Sequence, residues 1–181
     1  MIVALSGKKG AGKSTVARYL HRRLEGSQII AFAEPLKRIA VELFGAESIQ
    51  VNGNEDQKNT VAHCGLTGRE TMQRLGAALR DIWPACWIHA WKSAVESAWA
   101  EHGMVPVIVP DLRYMNELCQ VLGMGGIVIR LTRDPYPADQ HPSETDLDRC
   151  DLFTATIANS AMTEDEANAE ALAICERMGV M

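Results

Sequence analysis

The chain has no cysteine pair at CxxC spacing; its five cysteines, Cys64, Cys86, Cys119, Cys150 and Cys175, are odd in number and far apart. That excludes a zinc knuckle and a dithiol redox motif, and it leaves free thiols suited to a reducing cytosol. No segment approaches the ~18 consecutive apolar residues of a membrane span. The apolar run at residues 2–5 is also too short for the core of a secretion signal, so a cytoplasmic location is expected. An excess of positive charge is missing too. With 18 basic against 23 acidic side chains, a net charge of -5 and a pI near 5.5, a general nucleic-acid-binding surface is excluded, and any polyanion must be met locally. There is no internal repeat, no low-complexity tract and no Pro/Ser-rich linker. No NKxD sequence of the kind that reads guanine occurs either.

What remains is 181 residues, 47% of them hydrophobic, enough for one globular domain with a full core. A chain of this length buries roughly 70% of its unfolded surface, so neither disulfides nor a structural metal are needed. Five short apolar runs, at residues 2–5, 28–32, 105–109, 126–131 and 154–158, are continuous rather than alternating, which predicts strands covered on both faces. Helical spacing predicts helices over 13–24, 34–44, 69–82, 84–101, 116–122 and 164–178. The fourth would carry Pro84 in its first turn and a core stripe of Trp87, Trp91, Val95 and Trp99 at steps of four. The last opens on Thr163 with Glu166 three residues on, a capping box. Alternating strands and helices predict a doubly wound α/β fold, a parallel five-stranded sheet with helices on both faces. Residues 45–68 and 133–150, polar and turn-rich, are expected to be mobile insertions beside a site.

The site itself is announced by Gly7-Lys8-Lys9-Gly10-Ala11-Gly12-Lys13-Ser14, a GxxxxGK[ST] match directly after a predicted strand and directly before a predicted helix. Glycines let successive backbone N–H groups turn inward on phosphates, and the helix N-terminus adds its positive dipole end. Gly7, Lys9, Gly10, Ala11, Gly12, Lys13, Ser14 and Thr15 are therefore the expected cradle for ATP. Lys13 would reach the β and γ phosphates, and the Ser14 hydroxyl would ligate Mg²⁺. Asp111, at the end of the third apolar run, is the expected second Mg²⁺ ligand. Outside the loop, Arg69, Arg80, Arg113, Arg130 and Arg133 stand beside predicted strand ends and insertions, where planar bidentate donors suit phosphates.

Several further blocks stand in a fixed order. Phe32-Ala33-Glu34-Pro35-Leu36-Lys37 follows the second strand, and Thr67-Gly68-Arg69-Glu70-Thr71-Met72-Gln73-Arg74-Leu75-Gly76 opens the third helix. Then come Pro110-Asp111-Leu112-Arg113 with Asn116-Glu117, Gly125-Gly126-Ile127-Val128-Ile129-Arg130, His141-Pro142-Ser143-Glu144 and Ile157-Ala158-Asn159. Together with the phosphate loop they resemble the bacteriophage-type deoxynucleoside monophosphate kinases over most of the chain. The resemblance implies one P-loop kinase domain over residues 1–181, with an acceptor-binding segment at about 45–100 and a short lid at about 133–150. It implies ATP and Mg²⁺ as cofactors and transfer to a deoxynucleoside monophosphate, in the host cytoplasm if the chain is phage-encoded. On this mapping Lys13, Arg113 and Arg133 act in transfer, Arg133 closing with the lid. Arg69 would bind the acceptor phosphate, Gln73 would face its base and Lys37 would touch the acceptor, while His141 and Glu144 would shape the lid or acceptor pocket. The partners are then small nucleotides, neither a nucleic-acid polymer nor a membrane, and a homodimer is left open.

Two departures stand against the pattern. The stretch before Arg69 is rich in Asn, Gln and Gly, which leaves base specificity open, and Ala161 stands where a glycine turn is expected. His141, between Gln and Pro, is equally suited to capping. Two other functions fit the phosphate loop: a small-molecule kinase of phosphomevalonate or sugar type, in which Asp111 would serve as base toward a hydroxyl, or an ATP-binding regulatory module without an acceptor.

Overall fold

Ile2–Ser6 forms β1, five residues all buried, as expected of the central strand of a parallel sheet. The computed structural model describes residues 1–134, 136 and 140–180. In chain order the elements are α1 (Lys13–Arg23), β2 (Gln28–Ile29), α2 (Glu34–Phe44), α3 (Ser48–Asn52) and α4 (Glu55–Lys58). They continue as α5 (Gly68–Ile82), α6 (Cys86–His102), β3 (Val107–Leu112), α7 (Met115–Gly123), β4 (Ile127–Leu131), α8 (Pro142–Thr145), β5 (Ala155–Ile157) and α9 (Glu164–Arg177). All strand pairs are parallel, in the order β2-β3-β1-β4-β5.

The chain divides into two compact units, one made of Met1–Ala31 and the chain from Trp91 on, the other of Phe32–Ala90. In the first, Val3, Leu5, Ile108 and Ile129 pack with Val16, Ala17 and Leu20 of α1 and Ala171, Leu172 and Cys175 of α9. Because strand side chains alternate, Ile2, Ala4, Val107, Val109 and Val128 point the other way, and they are equally buried. On that side a Cβ on Gly126 would lie 2.8 Å from Val121 Cγ1 and 2.9 Å from Ile2 Cβ, so α7 is packed hard on the start of β4. Helices therefore cover both faces, as the continuous apolar runs predict. Trp91 and Val95 of α6 are fully buried and Trp99 half-buried, with Trp91 Nε1–H donating to Ile30 O at 3.1 Å and Trp99 Nε1–H to Val105 O at 2.9 Å.

The second unit is helical. Ala40, Ala46, Val51 and Ala62 form its small core with Val41 and Met72. Buried Gln50 ties it together, its Nε2 donating to Thr60 Oγ1 at 3.2 Å and Val61 O at 3.0 Å. The start of α5 lies so close that a Cβ on Gly68 would meet Gln50 O at 2.3 Å.

Four sequence expectations need correction. Residues 45–68 are not merely turns: Glu47 and Asn54 open α3 and α4 through capping boxes with Gln50 and Gln57. The helix expected from Pro84 begins at Cys86, because Cys86 N–H donates to Trp83 O in a turn that contains the proline. The second strand is shorter than residues 28–32, an edge strand with one further bond from Ile30 N–H to Ile108 O. The third starts at Val107 and runs on to Leu112, past Pro110 and Asp111, because a register shift opposite Ala4 and Ser6 admits one extra residue. All five cysteines are free, and no helix among the described residues is long and apolar enough to cross a membrane.

Candidate active site

The phosphate loop runs from the end of β1 to the start of α1, and three of its residues carry the backbone that turns it. Gly7 has φ 146, and a Cβ there would sit 2.5 Å from Leu131 O; no other residue fits. Gly10 and Gly12 have φ 73 and 98, and Gly12 is the N-cap of α1. The N–H groups of α1's first turn thus open into the loop without a side-chain cap, the arrangement that receives an anion. Lys13 is 7% exposed, and its ammonium donates to Gly7 O and Lys8 O at 2.7 Å each. Burial, then the Arg113 charge, pull its pKa down to about 7, against the upward pull of Glu144 and Asp111.

Three strand ends and the α8 segment surround this loop. Arg133, just past β4, donates from Nη2 to Gly10 O at 3.1 Å, while its own N–H donates to Asn159 Oδ1 at 2.9 Å. Asn159, after β5, donates in turn to Ala11 O at 2.8 Å and is buried. Arg133 Nε is buried without a partner among the described residues, an unspent donor beside the cradle. Arg130 at the end of β4 donates to Ser6 Oγ at 3.0 Å and lies over the Phe153 ring at 5.2 Å. Asp148 Oδ1 pairs with Lys8 Nζ at 2.6 Å and with Arg130 at 3.7 Å.

Arg113, which follows β3, pairs with the Glu144 carboxylate and donates to Ser143 O at 3.1 Å. Its backbone N–H and that of Tyr114 both donate to Glu117 Oε2, at 2.9 and 3.1 Å, which fixes the β3–α7 turn. Glu144 also accepts Lys9 N–H at 2.8 Å, and its carbonyl accepts from Lys8 Nζ. His141 is the N-cap of α8: its Nδ1 accepts from Ser143 N–H at 3.2 Å and lies 2.8 Å from Ser143 Oγ.

The first unit thus brings together Gly7, Lys9, Gly10, Ala11, Gly12, Lys13, Ser14, Thr15, Asp111, Arg113, Arg133, His141 and Glu144. Asp111 is near enough to act electrostatically on Lys13, and the Ser14 hydroxyl is exposed at the start of α1. Those two oxygens suit Mg²⁺, which keeps waters and leans on substrate phosphates rather than on a protein cage. No group of three metal-ligating side chains occurs among the described residues. Lys37, Arg69 and Gln73 belong to the second unit, all half-buried. There Arg69 pairs with Glu55 and donates from Nε to Asn59 Oδ1 at 3.2 Å. Part of the segment expected as a lid, residues 135 and 137–139, lies outside the described residues.

Sequence reasoning did not foresee Asn159, Lys8 or Asp148 as loop-holding residues, and it placed Glu144 in the lid or acceptor pocket without its contacts to Arg113 and Lys9. For Asn159 a signal existed, since an amide just after a strand end is a ready partner for a neighbouring turn. For the others none did.

No protein-family model matches the chain. Among solved structures it is similar to the Deinococcus radiodurans tunicamycin resistance protein, at 19% identity and TM-score 0.51 over 99% of this chain and 96% of that one. It is also similar to an APS kinase from Mycobacterium tuberculosis, at 13% identity and TM-score 0.42 over 97% and 96%. Among curated proteins it is 30% identical over 177 residues, 91% of each chain, to an Acanthamoeba polyphaga mimivirus protein described as "Putative deoxynucleotide monophosphate kinase". With that identity over nine-tenths of both chains, and with a phosphate loop on a five-stranded parallel sheet, this chain belongs to the same kinase family: it is a P-loop nucleotide kinase.

Proposed function

We propose that the protein transfers the γ-phosphoryl group of ATP to a deoxynucleoside monophosphate, with Mg²⁺, giving ADP and the deoxynucleoside diphosphate. The observation that carries this reading is the number of cationic donors assembled on one phosphate loop. Lys13 at the start of α1, Arg113 just after β3 and Arg133 just after β4 are the donors, and the relative at 30% identity bears the matching name. Phosphoryl transfer asks a protein for positioning and charge neutralisation more than for covalent chemistry. The loop N–H groups and Lys13 would hold the phosphates of ATP, and Arg133, with its unspent Nε–H, would add a donor beside Gly12. Arg113 would neutralise charge between donor and acceptor. Bound Mg²⁺, held by Ser14 and Asp111, would supply further neutralisation of the same charge.

The acceptor side is assigned to the second unit. Arg69 would leave Glu55 for the acceptor phosphate, with Lys37 and Gln73 contributing contacts to phosphate and base. A phosphate monoester with a second pKa near ~6 is mostly dianionic at neutral pH, so its attacking oxygen needs no protein base. That suits a phosphate acceptor and leaves Asp111, whose charge acts on Lys13, to the metal. His141 would act as a cap that sets the α8 segment. The bacteriophage-type resemblance belongs to the same proposal. The test is a coupled ADP-release assay over all deoxy- and ribonucleoside monophosphates, with phosphomevalonate and a sugar panel beside them. Turnover confined to the sugars or to phosphomevalonate, or none with any acceptor despite tight Mg-ATP binding, would overturn it.

A further inference from the structure

Glu144 is an acidic side chain enclosed in a basic site. Its side chain is only 4% exposed, and both carboxylate oxygens are taken by protein donors. Oε2 accepts Lys9 N–H at 2.8 Å, and Oε1 pairs with Arg113 Nη1. Lys8 Nζ donates to its carbonyl, and Arg113 also donates to the preceding carbonyl, Ser143 O, at 3.1 Å. One residue on a four-residue helix therefore grips the phosphate loop twice and a reactive-site guanidinium once. Its negative charge is matched there by the Arg113 guanidinium and by Lys9 N–H, so it ties Arg113 to the phosphate loop.

We propose that Glu144 is a positioning residue, which fastens the Arg113 guanidinium to the phosphate loop so that it meets the transferred phosphoryl group already oriented. The inference rests on the nucleotide-kinase reading above and deepens it. Arginine loses much of its side-chain freedom when it is ordered, and a carboxylate that holds it beforehand removes that cost from the transition state. Arg113 has further N–H donors to offer beyond Nη1, since a guanidinium presents five in a rigid fork. The α8 segment does not depend on Glu144 alone. Asp146 Oδ2 accepts Met115 N–H at 2.7 Å, and Asp148 pairs with Lys8 at 2.6 Å. Removing the Glu144 charge should therefore loosen Arg113 while the segment stays docked.

The experiment measures kcat, both Michaelis constants and Tm for wild type, Glu144→Gln, Glu144→Asp, Arg113→Ala and the Arg113→Ala/Glu144→Gln double variant. Glu144→Gln should lower kcat by about 10- to 100-fold, the scale of a misplaced catalytic group, with both Michaelis constants within about threefold. Glu144→Asp, which keeps the charge one methylene short, should recover part of that loss. In the Arg113→Ala background, Glu144→Gln should cost less than about threefold more, because the two act as one unit. A rise in the Michaelis constants with kcat unchanged would overturn the proposal, as would losses that multiply in the double variant. If Glu144→Gln does not fold, the same cycle with Glu144→Asp decides on the same terms. Wild-type turnover on a deoxynucleoside monophosphate separates the two claims: its absence overturns the kinase reading and this one with it, whereas its presence with multiplying losses overturns the positioning role alone.

Discussion

Lys13 should take up a proton when ATP binds. Its ammonium is 7% exposed and, in the ligand-free protein, its pKa is lowered from 10.5 to about 7, by burial first and by Arg113 next. Only Glu144 and Asp111 pull upward, and Arg130 opposes them. A triphosphate set against it reverses the balance, because several negative charges then face the ammonium and hold its proton. The lysine is neutral in about half of the free molecules at pH 7 and in about nine-tenths at pH 8, so binding should take up about 0.5 and about 0.9 protons. The sign follows from linkage. The free protein loses the proton as pH rises through 7 and the complex keeps it, so affinity weakens with pH, by about 50-fold between pH 7 and 9.

Titration calorimetry of ATP binding at pH 8, in two buffers of different ionisation enthalpy, reads the proton directly. At that pH the nucleotide's own phosphates, with a second pKa near ~6, release almost nothing to mask it. Lys13→Arg is the control, since a guanidinium stays charged throughout; it should bind without uptake and with affinity nearly flat in pH. Absence of uptake in wild type at pH 8, or the same uptake in the arginine variant, would refute the reasoning. By the same linkage, this site makes the ligand-free fold more stable as pH rises above 7, where the unfolded lysine holds more protons than the buried one.

Three further outcomes are expected. Arg69→Ala should raise the Michaelis constant for the monophosphate well above any change in that for ATP, with Arg69→Lys recovering only part, because an ammonium lacks the paired donors; steady-state kinetics with each substrate varied at saturation of the other checks this. Asp111→Asn should weaken Mg²⁺ dependence, partly rescued by high Mg²⁺, and leave the acidic limb of the rate profile near pH ~6, where the acceptor phosphate itself ionises. Trp91→Ala should cost about 3–5 kcal/mol in denaturant unfolding, as a fully buried core indole should, since its side chain is 1% exposed and its N–H is satisfied by Ile30 O.

The parts of this protein that the sequence announces are those the backbone makes by itself. Gly7, Gly10 and Gly12 are legible because a loop of inward-turned N–H groups admits few other residues, and the register of loop, strand and helix follows from them. The capping box of α9 is equally plain, with Thr163 N–H donating to Glu166 Oε2 at 2.8 Å as a T-x-x-E spacing requires. Where the backbone departs from a simple rule, the sequence misleads by a turn or so. Pro110 ends the apolar run but not β3, because a register shift beside Ser6 makes room for it. Helices α3 and α4, of five and four residues, are too short for any periodicity to show.

Contacts that close the site belong to another class. Lys9 meets Glu144 across 135 residues, Arg133 meets Gly10 across 123, and Ala11 meets Asn159 across 148. Such pairs arise only after the parallel sheet has set β4 and β5 beside β1, and no local propensity encodes them. The division has a functional consequence. A phosphate loop is announced by its sequence; which side chains stand beside it is set by strand order, which brings Arg113, Arg130 and Arg133 to the same end of the sheet as the loop. Glu144 stands at the junction of the two classes: the sequence offers both it and Arg113 as site residues, but not the contact by which it holds that arginine to the loop. It follows that Glu144→Gln should lower the rate of transfer further than it weakens the binding of ATP, read as kcat against the ATP Michaelis constant.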